Sequence, residues 1–289
     1  KMGKNMALNL ISKKYKVIVY NRSPQSTKEM EKRGAIGTYS LEEFADSLGK
    51  DKIIIIMITA GGPVDDVVNG LLPFLSKNDV IIDGGNSFYE DSVRRYNTLK
   101  EEGINFIDMG TSGGLEAARH GASLTIGGDK AIFKKIEFLF RDLAAKNGYG
   151  YVGNSGAGHF AKLIHNGIEY ALLEAYGEGF EVLNKSNYKF NLKDITRIWN
   201  NGSIIKSHLI ELIEKIFNKN SDLKGTDGVI RGGESGKWAY SIAKKSGVEF
   251  GSLKYALKKR KLSEKKQSFS TRLISLLRGE FGGHETKDK

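Results

Sequence analysis

The chain has 289 residues, which is enough for two domains with sizeable cores. Its 39% hydrophobic residues and three prolines are typical of a soluble globular protein and exclude a disordered one. There is no cysteine, which excludes disulfides and Cys-ligated metals and suits a reducing compartment, and no apolar run reaches the roughly 18 residues that cross a bilayer. We therefore expect a cytoplasmic protein without a membrane segment. The net charge of +11 fits a Lys-rich surface, a nucleic-acid partner or small phosphorylated ligands.

Short apolar runs alternate with amphipathic stretches in the first half of the chain. The predicted strands are 16–20, 53–58, 80–82, 105–109 and 122–126, and the predicted helices are 4–14, 25–33, 41–48, 63–75, 90–102 and 130–145. The run IIIIMI at 53–58 has no polar face, which is typical of a strand covered on both sides. Such strands separated by helices predict a Rossmann-type, doubly wound parallel sheet. Ser40 fits an N-cap for the helix 41–48, with Glu43 three residues on.

The pattern changes near residue 150. From Gly158 onward there is almost no strand pattern, and the predicted helices are 159–185, 192–200, 203–218, 235–245, 252–261 and 268–279. We therefore predict two domains, an α/β domain over residues 1–150 and an all-helical domain over residues 151–289.

The first turns of the α/β domain carry a candidate cofactor site. Gly3 opens a helix, and a glycine at such a point lets the backbone approach a pyrophosphate. The strand that follows ends at Asn21, Arg22 and Ser23, where a guanidinium and a hydroxyl suit a ribose 2′-phosphate and favour NADP over NAD. The alternative is a helix-opening glycine followed by an ordinary β-turn at 21–24.

No strand precedes Gly3, because the sequence starts at Lys1. A doubly wound domain needs a central strand before its glycine loop. We therefore expect this sequence to be a fragment that lacks its first strand and two glycines, that binds cofactor poorly and that leaves a gap in its sheet. An added N-terminal strand should improve NADP binding.

Three successive strand ends are rich in glycine and small polar residues. They are Ile58-Thr59-Ala60-Gly61, Asp83-Gly84-Gly85-Asn86-Ser87 and Thr111-Ser112-Gly113-Gly114. Ligands of open α/β sheets bind beyond the carboxyl ends of the strands, and glycines let backbone N–H groups approach them. One such loop would suit a tight turn with self-capping side chains, but three in succession favour a site.

The segment 156–170 gathers polar residues on one face of a predicted helix. Lys162, His165, Asn166, Glu169 and Tyr170 fall at i, i+3, i+4, i+7 and i+8. A lysine and a glutamate two turns apart can serve as base and acid. The alternative is a solvated polar face on a long helix.

Together these segments resemble 6-phosphogluconate dehydrogenase. The resemblance lies in 80–87 (VIIDGGNS), 112–114 (SGG), 156–170, 236–238 (GKW) and 278–284 (RGEFGGH), and the length resembles the short form of this family. It implies the oxidative decarboxylation of 6-phosphogluconate to ribulose 5-phosphate and CO2 with reduction of NADP or NAD, in the pentose phosphate pathway. It implies no metal, and we find no His/Asp/Glu ligand cluster in the sequence.

The resemblance also implies roles for individual residues. Lys162 would be the general base at the C3 hydroxyl, and Glu169 would protonate C1 of the enediol. Cofactor contacts would come from Met2, Gly3, Asn21, Arg22, Ser23, Ile58, Thr59, Ala60 and Asn86. The substrate carboxylate and hydroxyls would be held by Asn86, Ser112, Gly113, Gly114, His165 and Asn166, and its phosphate by Tyr170, Lys237, Arg278 and His284. Arg260 is a candidate for one more phosphate ligand, although 257–261 departs from the family pattern.

The first domain would then bind NADP, and the second would bind substrate and form a homodimer or homotetramer. One rival is another β-hydroxyacid dehydrogenase, such as one acting on 3-hydroxyisobutyrate, which is not expected to carry Glu169-Tyr170 or the Arg278/His284 pair. A second rival is a basic nucleic-acid-binding module, but most Tyr and Phe residues lie within apolar patterns, so we expect no nucleic acid. A third possibility is that the fragment is catalytically inactive.

Overall fold

The computed structural model describes residues 1–283. The chain divides into two compact units, Lys1–Leu163 and Ile164 to the end of the described residues. This division falls inside one long helix, whereas the change of sequence pattern falls near residue 150, ahead of that helix.

The first unit alternates strands and helices. Its strands are β1 Ile18–Tyr20, β2 Ile36–Thr38, β3 Ile53–Ile56, β4 Val80–Asp83, β5 Asn105–Ser112, β6 Ala122–Gly128 and β7 Ala144–Gly153. Its helices are α1 Met2–Ser12, α2 Pro24–Glu31, α3 Leu41–Leu48, α4 Gly62–Leu71, α5 Tyr89–Glu101, α6 Gly114–His120, α7 Lys130–Lys135 and α8 Glu137–Leu143, with a 3-10 turn at Leu72–Phe74. As predicted, the Ser40 side chain caps α3 by accepting a hydrogen bond from the Glu43 N–H, at 3.0 Å.

The strands form a parallel pair, β1-β2, and a five-stranded sheet in the order β3-β4-β5-β6-β7. Strands β3, β4 and β5 run parallel, as predicted, but β6 is antiparallel to β5 and β7 is parallel to β6. The reversal has a physical cause. Only residues 113–121 join β5 to β6, and a parallel return needs a crossover of about a dozen residues or more.

Both faces of the five-stranded sheet are covered, which confirms the Rossmann-type architecture. Val80 and Ile82 of β4 pack in one core with residues of α1, α6 and α8. Ile81, between them, packs in a second core with residues of α3, α4 and α5. Because successive side chains of a strand point to opposite faces, a strand between two cores is apolar throughout.

The predictions missed three elements of this unit and merged two others. The single helix predicted over 130–145 is two helices, α7 and α8, that meet at Ile136, and β7 begins directly after them. Strand β7 pairs only with β6 at the edge of the sheet, so it is half-exposed and lacks an apolar run. The short β2 and α6 were also missed.

The second unit is helical over its described residues. Helix α9, Ala157–Lys185, begins in the first unit and continues into the second. It is followed by α10 Leu192–Asn200, α11 His208–Lys219, α12 Glu234–Lys245, α13 Gly251–Ser263 and α14 Phe269–Gly282. Helix α11 starts five residues later than predicted because Ser207 caps it by accepting from the Ile210 N–H. Among residues 1–283 no helix is long and apolar enough to cross a membrane.

Candidate active site

The three glycine-rich loops meet at one edge of the first unit, because β3, β4 and β5 are parallel and their carboxyl ends coincide. A Cβ added to Gly85 would lie 3.1 Å from the carbonyl oxygen of Ile58, so the loops after β3 and β4 are in contact. Thr111 donates a hydrogen bond to the carbonyl oxygen of Gly84 at 3.3 Å, which joins the loop after β5 to the same group. Asn86 and Ser112 are thereby brought to one edge, as the sequence predicted.

A buried arginine that the sequence predictions missed holds these loops. Arg95 of α5 is 2% exposed and donates to the carboxylates of Asp65 at 2.7 Å and Asp83 at 3.3 Å, and to the carbonyl oxygen of Gly61 at 3.0 Å. Burial by itself would raise the pKa of Asp65, but hydrogen bonds from Arg95 and Arg94 outweigh it and lower that pKa. Arg95 therefore links the ends of β3 and β4 through charged, buried hydrogen bonds.

The start of α9 is fixed to β5 by a buried carboxylate. Asp108 is 0% exposed and accepts hydrogen bonds from the backbone N–H groups of Gly156, at 2.7 Å, and His159, at 2.9 Å. A negative charge at a helix N-terminus satisfies N–H groups that have no partner within the helix. Asp108 is a second positioning residue that the helical pattern did not reveal, because its role depends on a contact 48 residues away.

Glycine lets the lysine of this helix approach the sheet. A Cβ added to Gly110 would lie 2.6 Å from the Cβ of Lys162, and one added to Gly158 would lie 2.6 Å from the carbonyl oxygen of Thr125. Any other residue at Gly110 would push the helix away. The half-buried Lys162 therefore lies beside Gly110 of β5. Gly110 stands two residues before Ser112 in that strand.

The helix predicted around Lys162 is present, and its polar residues follow the predicted spacing. The Nδ1 atom of His165 lies 3.3 Å from Oδ1 of Asn166 and 3.9 Å from Oε2 of Glu169. Asn166 is buried, Glu169 is half-buried and His165 is exposed.

The second unit contains a cluster of buried cations around Tyr170. The guanidinium of Arg260 lies 3.8 Å from the centre of the Tyr170 ring, and Arg260 and Arg278 are each 7% exposed. Burial, followed by the nearby charge of Arg260, lowers the pKa of Arg278 to about 10. Among the described residues, the buried Nη1 of Arg260 has no hydrogen-bond partner. The positive charges of these two buried guanidinium groups oppose each other, so an anion placed between them would lower their electrostatic energy.

A glycine loop completes this cation cluster. Gly232 and Gly233 have φ angles of +72° and +136°, and Cβ atoms there would lie 3.4 Å from Nη2 of Arg278 and 3.3 Å from Cδ of Arg260. Arg278 also donates to the carbonyl oxygen of Arg231 in this loop. The loop can thus cover both arginines only with glycines at these positions.

The structure brings some of the predicted phosphate ligands together and leaves another apart. Tyr170, Arg260 and Arg278 are brought together, whereas the Lys237 side chain is 71% exposed and its Nζ lies 3.7 Å from Glu234. The hydroxyl of Ser235, which the predictions omitted, lies 3.2 Å from the Tyr170 hydroxyl and is buried. His284 lies outside the described residues.

The predicted cofactor residues lie in two places. Ile58, Thr59, Ala60 and Asn86 are in the loops after β3 and β4, and the others are at the start of α1 and after β1. Asn21 follows β1 and donates to the carbonyl oxygen of Ser23 at 3.1 Å, while Arg22 is exposed and the Ser23 hydroxyl makes no capping bond to α2. The Arg22 guanidinium and the Ser23 hydroxyl are donors at the point where a Rossmann-type domain binds the cofactor ribose. Gly3 has a second reason to be glycine, because a Cβ there would lie 2.8 Å from the Cβ of Met57; Met2 precedes it in the first turn of α1.

A Rossmann-type domain followed by a helical domain, with a lysine-bearing helix packed on β5, defines an NAD(P)-dependent dehydrogenase. Residues 1–153 match the family model described as the NAD binding domain of 6-phosphogluconate dehydrogenase, and residues 158–279 match the one described as its C-terminal domain. The chain belongs to the 6-phosphogluconate dehydrogenase family.

Proteins similar to this chain carry names from the same family. A Bacillus subtilis protein provisionally named as a 6-phosphogluconate dehydrogenase is 42% identical over all of this chain and 97% of its own length. The NAD(+)-dependent, decarboxylating 6-phosphogluconate dehydrogenase of Haloferax volcanii is 37% identical, over 100% of this chain and 96% of its own. The decarboxylating 6-phosphogluconate dehydrogenase of Staphylococcus epidermidis is 44% identical over 76% of this chain. The matched region is about half (49%) of that relative's own length.

Solved structures are similar as well. The 6-phosphogluconate dehydrogenase of Plasmodium falciparum, studied with NADP+ and with 6-phosphogluconate, matches with a TM-score of 0.82 at 29% identity, over 96% of this chain and 68% of its own. A 3-hydroxyisobutyrate dehydrogenase of Salmonella typhimurium matches with a TM-score of 0.76 at 16% identity, over 94% and 95% of the two chains, which shows a shared fold alone.

Proposed function

We propose that this chain catalyses the NAD(P)-dependent oxidative decarboxylation of 6-phosphogluconate to ribulose 5-phosphate and CO2. The observation that carries the proposal is the buried pair Arg260 and Arg278 beside Tyr170, in a chain whose family is named for a phosphorylated substrate. A phosphate dianion would neutralise both guanidinium groups and provide acceptors for the Nη1 of Arg260. An unphosphorylated hydroxyacid would bring no phosphate dianion to these two buried guanidinium groups.

Tyr170 and Ser235 add neutral donors to the same site. Their hydroxyls lie 3.2 Å apart, so each is placed to donate to a phosphate oxygen. In this arrangement Arg260 and Arg278 supply the charge. Among the predicted phosphate ligands within residues 1–283, the exposed Lys237, paired with Glu234, is the weakest.

Lys162 and Glu169 are proposed as the base and the acid. When bound, NAD(P) would supply the acceptor for the hydride that leaves C3 of the substrate. Lys162 takes the proton of the C3 hydroxyl, which yields a 3-keto acid, and protonated Lys162 then donates to the new carbonyl oxygen while C1 leaves as CO2. Glu169 protonates the former C2 of the resulting enediol, which becomes C1 of ribulose 5-phosphate. A lysine acts as a base near neutral pH only if its surroundings favour the uncharged amine, and its half-buried position supports that role.

The loops of the first unit are proposed to orient the carboxylate and hydroxyls. Asn86 and Ser112 would donate hydrogen bonds, and the backbone N–H groups of Gly113 and Gly114 would add two more donors. His165 and Asn166 are proposed for the hydroxyls. Arg95 is not placed against substrate; it holds the loops that are.

We propose NADP as the preferred cofactor, held by Arg22, Ser23 and Asn21 at the ribose and by Met2, Gly3, Ile58, Thr59, Ala60 and Asn86 elsewhere. The exposed guanidinium of Arg22 and the uncapped hydroxyl of Ser23 support binding of a 2′-phosphate. An Arg22→Ala variant should lose affinity for NADP and keep its affinity for NAD. Equal losses for both cofactors would contradict this preference.

A homodimer or homotetramer in the cytoplasm is also proposed. The second unit exposes large apolar side chains, among them Val182 at 70%, Ile198 at 56% and Ile204 at 102%. We infer that these side chains belong to a subunit interface, since contiguous apolar patches mark such contacts. A monomer in analytical ultracentrifugation would contradict the assembly.

The main experiment compares substrates. The protein should reduce NADP with 6-phosphogluconate and release CO2 and ribulose 5-phosphate, and it should show little turnover of gluconate or 3-hydroxyisobutyrate. Reduction of cofactor by 3-hydroxyisobutyrate alone would overturn the proposal in favour of the rival hydroxyacid dehydrogenase. A strongly salt-dependent gel shift with nucleic acid would instead support the alternative of a basic nucleic-acid-binding module.

A further inference from the structure

A buried carboxyl group lies one helical turn beyond the tyrosine of the cation cluster. Glu174 of α9 is 5% exposed, and its Oε1 is buried without a hydrogen-bond partner among the described residues. It stands four residues after Tyr170, so it lies on the face of α9 on which Arg260 covers the tyrosine ring. A buried carboxyl that lacks a full set of hydrogen bonds costs stability, which points to a role other than packing.

The groups around Glu174 are charged and come from two helices. They are Lys259 and Arg260 of α13 and Glu178 and Glu181 of α9. The Nζ of Lys259 lies 4.0 Å from Oε1 of Glu174 and 3.6 Å from Oε1 of Glu178, which also accepts from the Tyr255 hydroxyl at 2.7 Å. Glu174 therefore shares its cations with a second carboxylate and with whatever anion occupies the cluster.

We propose that Glu174 couples binding of a phosphate dianion at the Arg260/Arg278 cluster to uptake of a proton. This inference rests on the proposed phosphate site and adds its regulation by pH. When Glu174 is ionised, it neutralises part of the charge of Arg260 and weakens anion binding. When a dianion binds, the protonated carboxyl is favoured.

The coupling works at physiological pH. Burial raises the pKa of Glu174 to about 7, and Lys259 opposes the rise. Small changes of pH around neutrality therefore change the charge beside Arg260, while Arg278, with a pKa of about 10, stays protonated. Affinity for the dianion is then highest below pH 7 and falls as Glu174 ionises above it.

Sulfate tests this coupling, because it is a tetrahedral dianion at every pH between 6 and 9. Its dissociation constant would be measured by calorimetry at constant ionic strength and at pH 6.5, 7.5 and 8.5. If a bound dianion raises the pKa of Glu174 by one unit, the wild-type affinity should fall roughly sixfold between pH 6.5 and 8.5. Glu174→Gln should bind sulfate with nearly constant affinity. The comparison variant, Glu178→Gln, should keep a pH dependence and shift it to lower pH, because the charge of Glu178 raises the pKa of Glu174.

Several results would overturn the inference. They are a wild-type sulfate affinity that is independent of pH, an equal pH dependence in Glu174→Gln, or no sulfate binding at any pH. If Glu174→Gln does not fold, the pH dependence of the wild-type sulfate affinity tests the inference by itself. Turnover of 6-phosphogluconate is measured separately, so active enzyme with pH-independent sulfate binding would contradict only the role of Glu174.

Discussion

The guanidinium of Arg260 lies 3.8 Å from the centre of the Tyr170 ring, and both side chains are buried. This contact joins α13 to α9 and brings a positive charge to the helix that carries Lys162 and Glu169. Cation–π contacts of desolvated arginines stabilise by about 2 kcal/mol, which holds the guanidinium in place before any ligand binds. The position of the Arg260 guanidinium is therefore set by the fold, which supports its proposed role at the substrate phosphate.

Replacing Arg278 with Met should impair substrate binding without lowering stability. Loss of one charged hydrogen-bond donor to a phosphate costs about 1.5–3 kcal/mol, so KM for 6-phosphogluconate should rise roughly 10- to 100-fold while kcat changes little. The melting temperature should stay constant or rise, because the folded state disfavours the positive charge of Arg278. Arg197→Met removes an exposed arginine and should change neither quantity. An unchanged KM in Arg278→Met would remove this residue from the phosphate site.

Replacing Lys162 with Met should abolish turnover and preserve substrate binding. The proposed proton transfer has no substitute group at this position, and losing a general base typically slows a reaction roughly 100- to 10,000-fold. Binding can be followed by calorimetry with 6-phosphogluconate. Lys185→Met, at the far end of the same helix, serves as the control. Turnover near the wild-type rate in Lys162→Met would contradict the mechanism.

Replacing Asp108 with Asn should loosen the start of α9. The amide keeps one acceptor oxygen for two backbone donors and removes a buried charge, so we expect a loss of about 1–3 kcal/mol in the free energy of unfolding. Because Lys162 follows within two turns, kcat should fall more than KM rises. Asp129→Asn alters the cap of the six-residue α7 and should leave kcat unchanged. A loss of stability with wild-type kcat would show that Asp108 supports only the fold.

Acid should weaken the second unit through Glu181. Burial favours a higher pKa for Glu181, but hydrogen bonds from Lys185, Ser268 and Ser270 outweigh it and lower the pKa to about 2. Because this folded-state value lies below the ordinary 4.5, the ionised group stabilises the fold above pH 4.5. That contribution is lost as the pH falls from about 4.5 towards 2.

Glu181→Gln should therefore lower the free energy of unfolding by about 2–3 kcal/mol at pH 7 and by much less near pH 2.5. Urea unfolding at the two pH values measures this difference. An equal loss at both values would mean that the variant disturbs packing and not the charge. Glu178→Gln, one turn earlier on α9, is the comparison.

The sequence by itself determined the order of elements and the composition of the catalytic helix. The apolar run at 53–56 requires burial on both faces, and the Lys162–Tyr170 spacing places its polar residues on one side of any helix. Such local patterns depend on residues within a few turns, so the buried strand β3 and the long helix α9 were predicted, whereas β2, α6 and the edge strand β7 were missed. The residue roles themselves stay predictions.

Only the tertiary structure decided which distant groups meet. Arg95, Asp108, Ser235 and Glu174 have no sequence signature, because their functions arise from contacts with strands and helices far along the chain. Lys237 lies in the GKW motif that resembles the family, yet its side chain is exposed to solvent. Arg260 lies in a segment that departs from the family pattern, yet its guanidinium lies against the Tyr170 ring. Helical periodicity fixes a side chain relative to its own helix, but packing decides which helix it faces.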